Sequence, residues 1–93
     1  GMLKKHYSPG IPIKLNQKKA KNNEAFIVFG KKYKKAKNIF NLSSKSNLNV
    51  AARNLYKILR LIKKKNYKMI CVSPIPQTGI GLAINDRLTR AAK

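Results

Sequence analysis

Few side chains in this sequence can do acid–base, nucleophilic or metal chemistry. Its only acids are Glu24 and Asp86, its only histidine is His6 and its only cysteine is Cys71. Carboxylate catalysis needs a pair of acids, a metal needs several His, Cys, Asp or Glu ligands, and a nucleophile needs a base and an orienting group. None of these sets can be drawn from four such residues. The expectation is a chain with no catalytic residue and no metal site, inactive as an enzyme on its own. His6 stands in a basic lead-in with no second ligand near it, which reads as a solvated side chain. Cys71 lies inside the apolar run Lys68-Met-Ile-Cys-Val72 and has no cysteine to pair with. A buried, inert thiol in a reducing, cytoplasmic setting is the expected outcome.

Positive charge is what the chain has in excess. Lysine and arginine number 22 against two acids, for a formal charge of +20. Such a domain attracts polyanions over about a Debye length, ~8 Å at physiological salt, and nucleic acid is the obvious one. Lys31, Lys32, Lys34 and Lys35 surround Tyr33, and Arg53, Lys57, Arg60 and Lys64 recur at helical spacing. Both sets are candidate RNA contacts; the competing reading is a solvated loop and a solvated helix face. Lysine far outnumbers arginine, and asparagine and isoleucine are abundant, as AT-rich codon usage produces. Codon bias explains lysine over arginine, but it does not explain the scarcity of carboxylates.

The third place where chemistry could sit is the loop and helix at the end of the chain. Strand-like Lys68–Val72 runs into Ser73-Pro-Ile-Pro76, and Thr78-Gly-Ile-Gly81 follows at the start of a helical pattern. Proline stops a strand, and glycine permits a sharp turn or a close backbone approach. The glycine pair is too short for a dinucleotide fingerprint, and no GxxxxGK[ST] loop exists. It still offers backbone N–H groups to an anion. Ser43 and Ser44, Thr78, Gly79 and Gly81 are therefore candidate anion or nucleotide contacts.

The elements that must position these residues follow from apolar spacing. Ile11–Leu15 alternates and predicts a first strand, near an edge because of Pro12. The polar segment 16–24 holds at most one or two helical turns. Ala25–Phe29 is a continuous apolar run, predicting a strand covered on both faces and ended by Gly30. Asn38–Leu42 predicts a third strand. Ser46 or Asn47 then caps a long helix over 48–65, with Leu48, Ala51, Ala52, Leu55, Leu59 and Ile62 as its core face and Ile58 beside them. Lys63–Lys65 suits the helix C-terminus, where the dipole favours cations. The last helix, about 80–92, places Ile80, Ala83, Ile84, Leu88, Ala91 and Ala92 on one side. Asn85, Asp86, Thr89, Arg90 and Lys93 lie elsewhere, and Asp86 and Arg90 are spaced to pair across a turn. Asp86 and Arg87 either decorate an outer face or hold a partner.

Ninety-three residues at 43% hydrophobic content make one small domain. No apolar stretch approaches a membrane span, and no signal-peptide pattern is present. The order β-β-β-α-β-α predicts a small Rossmann-like α/β sandwich of about four mostly parallel strands and two main helices, with a right-handed crossover through the long helix. In a parallel sheet Gly30, Ser43–Ser44 and the 74–81 loop share one rim, where ligands usually sit.

Three stretches in order carry a family resemblance. Asn47-Leu-Asn-Val-Ala-Ala-Arg-Asn-Leu55, then Gly79-Ile-Gly-Leu-Ala-Ile-Asn-Asp-Arg-Leu-Thr-Arg-Ala-Ala92, resemble the "AARNL" and "GLGxAIxDRLxRAA" segments of the C-terminal domain of long-form L-threonylcarbamoyladenylate synthases, the YrdC/Sua type. Gly1-Met-Leu-Lys-Lys-His-Tyr-Ser-Pro9 is similar to that family's interdomain linker, "PGMxYxHYxP". The resemblance implies a linker at 1–10 and a non-catalytic Sua-type domain at 11–93. It implies a YrdC-like catalytic domain of the same chain as partner, which makes threonylcarbamoyl-AMP from threonine, bicarbonate and ATP with a divalent cation. It further implies a role in tRNA threonylcarbamoyladenosine modification, with tRNA and other threonylcarbamoyl-transfer proteins as further partners. Lys4, Lys5, His6 and Tyr7 would form a lid over the partner domain's active site, and Asp86, Arg87 and Arg90 match the closing motif. Leu3-Lys4 departs from the usual basic–aromatic pair, and the segment between the first two strands is shorter than the helix many relatives carry. The rival expectations are a free-standing basic RNA-binding module and a nucleotide-binding regulatory domain.

Overall fold

A computed structural model describes residues 10–92 of the chain. The elements run β1 (Ile13–Lys14), β2 (Glu24–Val28), β3 (Ile39–Asn41), α1 (Leu48–Lys63), β4 (Met69–Val72) and α2 (Ile80–Ala91). The four strands form one sheet in the order β1-β4-β2-β3, and every pairing is parallel. This is the small Rossmann-like α/β arrangement that the element order implies.

The two apolar runs occupy the middle of the sheet because only central strands are covered on both faces. β2 and β4 pair with Ala25 opposite Ile70, Phe26 opposite Cys71 and Ile27 opposite Val72. The edge strands are short. β1 spans two residues rather than the five expected, because the chain turns at Asn16, whose φ is 55°. Ladder bonds continue around it: Ile70 N donates to the Pro12 carbonyl and Gln17 N to that of Val72, each at 2.8 Å. Pro12 precedes the first residue of this edge strand, a place where a missing N–H costs the ladder little.

Strand alternation divides the core in two. Ile13, Ala25, Ile27, Ile70 and Val72 point to the side where both helices pack, and they meet Ala51, Leu55, Leu59, Ile62, Ile84 and Leu88 in one cluster. Phe26, Val28 and Cys71 point the other way, where Ala20, Tyr33, Ile39 and Met69 pack on them without any helix. Tyr33 meets Phe26 edge-on at 5.9 Å. The connections before β2 and β3 thus cover the face that a second helix layer would otherwise fill.

α1 presents its expected core stripe: Ala51, Leu55, Leu59 and Ile62 are buried, and Leu48, Ala52 and Ile58 are partly so. Full burial of each large member contributes about 1.5–3 kcal/mol. Asn47, not Ser46, is the cap: its Oδ1 accepts from Val50 N at 3.1 Å. Ser46 instead takes a left-handed φ of 59° in the turn before it. α2 requires a correction. Gly81, Ile84, Leu88 and Ala91 face the core, whereas Ile80, Ala83 and Ala92 are exposed. The helix has rotated towards its glycine because that residue has no Cβ. A Cβ at position 81 would lie 1.9 Å from the Pro76 carbonyl oxygen, so only glycine lets helix and loop approach this closely. No helix among the described residues is long and apolar enough to cross a membrane.

Candidate functional site

Parallel pairing brings the carboxyl ends of the strands to one rim, as expected. Gly30 N donates to the Ser43 carbonyl at 2.9 Å and Ser73 N to that of Ile27, also at 2.9 Å. The candidate anion residues nevertheless divide into two groups. Ser43 and Ser44 line an open cavity of about 330 Å³ with Asn41, Lys45, Asn47 and Asn54, and Thr78, Gly79 and Gly81 take no part in it. Ser43 Oγ accepts from Asn47 N at 3.0 Å, so its hydroxyl serves the turn into α1. Gly81 N donates to the Thr78 carbonyl at 2.8 Å and Leu82 N to that of Gly79 at 3.1 Å. These amides close the first turn of α2 on itself and are not presented to an anion. Gly79, with φ of 51°, acts as the turn residue.

The motif residues of α2 are held within the domain. Asp86 Oδ2 pairs with Arg90 Nε at 3.0 Å, as the spacing predicts, and both side chains are well exposed. Such a pair is worth only a few tenths of a kcal/mol. Arg87 lies over the Tyr56 ring, 5.3 Å from its centre, and donates to the Tyr56 hydroxyl, tying α2 to α1. Asn85 had no role in the sequence reading, yet it clamps the preceding loop. Its amide donates to the Ile75 carbonyl at 3.1 Å and to that of Gly81 at 2.9 Å. The signal available was an asparagine mid-helix, a residue that usually avoids that position unless it bonds backbone.

The other titratable pair faces the helix-free side. Cys71 is 3% exposed. Burial pushes its thiol up from the ordinary value, and its contact with the Glu24 carboxylate, Sγ to Oε1 at 3.5 Å, pushes the same way. The buried, unpaired thiol expected from sequence is what the structure shows. The Lys21 backbone N–H, donating at 2.9 Å, holds the Glu24 carboxyl below its ordinary range. Among the described residues no three His, Cys, Asp or Glu come together as a metal site.

The candidate cationic contacts are on the outside. Arg53, Lys57, Arg60 and Lys64 are exposed along α1, as are Lys31, Lys32, Lys34 and Lys35 in the loop after β2. Lys32 Nζ stands 5.3 Å from the Tyr33 ring centre, while that ring turns inward onto Phe26. Lys4, Lys5, His6, Tyr7 and Lys93 lie outside the described residues.

With this geometry in hand, comparison with known proteins gives a family. The family described as "Threonylcarbamoyl-AMP synthase, C-terminal domain" matches residues 1–93. No curated protein matched. Among solved structures, the crystal structure of P. abyssi Sua5 complexed with L-threonine is similar, with a TM-score of 0.71 and 23% identity. The match covers 99% of this chain and 31% of that one, so this chain spans under a third of its solved relative. At that identity the likeness concerns the fold.

Proposed function

The chain belongs to the family of threonylcarbamoyl-AMP synthase C-terminal domains, and from that premise we propose that it is a non-catalytic accessory domain of such an enzyme. Residues 1–10 act as the interdomain linker, and Lys4, Lys5, His6 and Tyr7 gate the active site of a YrdC-like domain. That domain performs the nucleotidyltransferase-type reaction, joining threonine and bicarbonate to AMP from ATP for tRNA modification in the cytoplasm. The observation that carries this reading is the family match across the whole chain, linker segment included.

The side-chain inventory supports it. ATP chemistry uses a divalent cation held by hard oxygen ligands. The two carboxylates here are engaged elsewhere: Glu24 by the Lys21 amide and Cys71, and Asp86 by Arg90. These residues do not fit a cation site, so the metal and nucleotide belong to the partner domain in this reading. What this chain supplies is a rigid body that fixes one end of the linker, its Pro12 carbonyl bonded to central strand β4.

The test is pyrophosphate release with threonine, bicarbonate, ATP and magnesium. This chain alone should release none. A YrdC-like catalytic domain should change turnover or intermediate release when this chain is fused to it, and His6→Ala with Tyr7→Ala should remove the change. An unchanged rate on fusion would refute the gating role.

A further inference from the structure

The carboxyl rim carries a surface unlike the rest of the molecule. From Met69 to Asn85 the chain holds no charged residue, although 26% of the whole sequence is charged. Three large hydrophobic side chains among the described residues stand exposed, and two of them, Ile80 at 37% and Leu82 at 54%, fall in this stretch. With Ala83, also exposed, they make up the outer side of the first turn of α2, and the exposed Pro74 and Pro76 stand in the loop that leads to it. The third, Leu61, has Arg60, Lys63 and Lys64 as its sequence neighbours on α1.

This exposure is built into the fold. α2 seats on Gly81 because the Pro76 carbonyl leaves no room for a Cβ, and turning the glycine inward turns Ile80 and Leu82 outward. The surface is also held stiffly. Asn85 binds the Ile75 and Gly81 carbonyls, and the Gly81 and Leu82 amides close the turn behind them. A rigid patch loses little freedom on being covered, and protein interfaces are depleted of charge at their cores.

Size and charge select what covers it. Each side of a stable complex between separate proteins contributes about 20–30 residues, several times what this patch offers. A second copy would bring +20 against +20. A domain tethered to the same chain needs far less area, because a short linker holds it at millimolar effective concentration. The reach suffices. The chain enters at the amino end of β4, where the Pro12 carbonyl meets Ile70 N, and β4 spans only about 13 Å. Ten residues can bridge up to about 33–36 Å. We propose that Pro76, Ile80, Leu82 and Ala83 form the docking patch for the domain that precedes residues 1–10 in the full enzyme, and that the patch fits an uncharged, apolar depression on that domain. The inference rests on the accessory-domain reading above.

The test is hydroxyl-radical footprinting, read by mass spectrometry, on the 93-residue chain and on the same chain fused through residues 1–10 to a YrdC-like catalytic domain. Oxidation of Ile80 and Leu82 should fall several-fold in the fusion, while Leu61, exposed on α1, stays unchanged as the control. Leu82→Lys places a charge in the patch and should return Ile80 in the fusion to the level of the chain alone. Leu82 is more than half exposed, so the thermal melt of the variant should match the parent. Unchanged oxidation of Ile80 and Leu82 on fusion would overturn the docking patch. The accessory reading fails separately, by an unchanged turnover on fusion, so an altered rate without protection sinks the patch alone. Protection that appears in the unfused chain as its concentration rises would overturn the proposal in favour of a second copy. Equal protection of Leu61 would overturn it in favour of general shielding by the added domain.

Discussion

Gly81→Ala tests how α2 is seated. A Cβ there would lie 1.9 Å from the Pro76 carbonyl oxygen and 2.9 Å from its carbon, with Leu48 Cδ1 at 3.7 Å. The first two are backbone atoms, so no side chain can rotate away. Restoring even a 3.0 Å contact requires the helix and loop to separate by about 1.1 Å. Asn85 resists that separation by binding both the Ile75 and Gly81 carbonyls. Ile84 and Leu88, buried further along the same face, would be carried with the helix. Overpacking of this kind costs about 3 kcal/mol at its upper end, and the better helix propensity of alanine returns up to about 1 kcal/mol. The net expectation is a loss of about 2 kcal/mol, or roughly 8–16 °C in melting temperature for a domain of this size. Urea titration followed by far-ultraviolet circular dichroism should show a lower midpoint at unchanged slope. In Gly79→Ala nothing lies within 4 Å of the added Cβ, so the cost, about 1–3 kcal/mol, comes from the backbone alone, whose φ of 51° and ψ of −128° suit glycine and few other residues. A Gly81→Ala protein as stable as the parent would refute the close approach.

Two further outcomes follow from buried and titrating groups. Ser73 is 1% exposed and its Oγ has no hydrogen-bond partner among the described residues. Ser73→Ala should raise stability by about 1 kcal/mol, measured by the same urea titration, and a loss would mean that the hydroxyl has a partner in solution. Glu24 has a folded-state pKa below its unfolded value, chiefly through the Lys21 N–H. Its contribution is therefore fully present above the unfolded carboxylate range and is lost as pH falls through the lower folded value. Melting temperature should drop on acidification below about pH 4.5, and Glu24→Gln should flatten that drop. An identical acid profile in the variant would show that the bond does not form.

Element type and the core stripe of α1 were legible because local physics decides them. Apolar residues at steps of three and four specify a buried helix face, and unbroken runs such as Ala25–Val28 and Met69–Val72 specify central strands of a parallel sheet. Charge was equally plain: 22 lysines and arginines stand against acids only at positions 24 and 86. The family was legible too, from motifs in order. Tertiary structure decided what depends on distant approach. Periodicity placed Ile80, Ala83 and Ala92 on the α2 core face, but Gly81 faces inward because the Pro76 carbonyl comes too close for a Cβ. The rim serine and glycine amides looked free to bind an anion, yet Ser43 and Gly81 close their own turns. The exposure of Ile80 and Leu82 follows from the same approach. A helix can turn only one side inward, and the Pro76 carbonyl, not the local pattern, selects which.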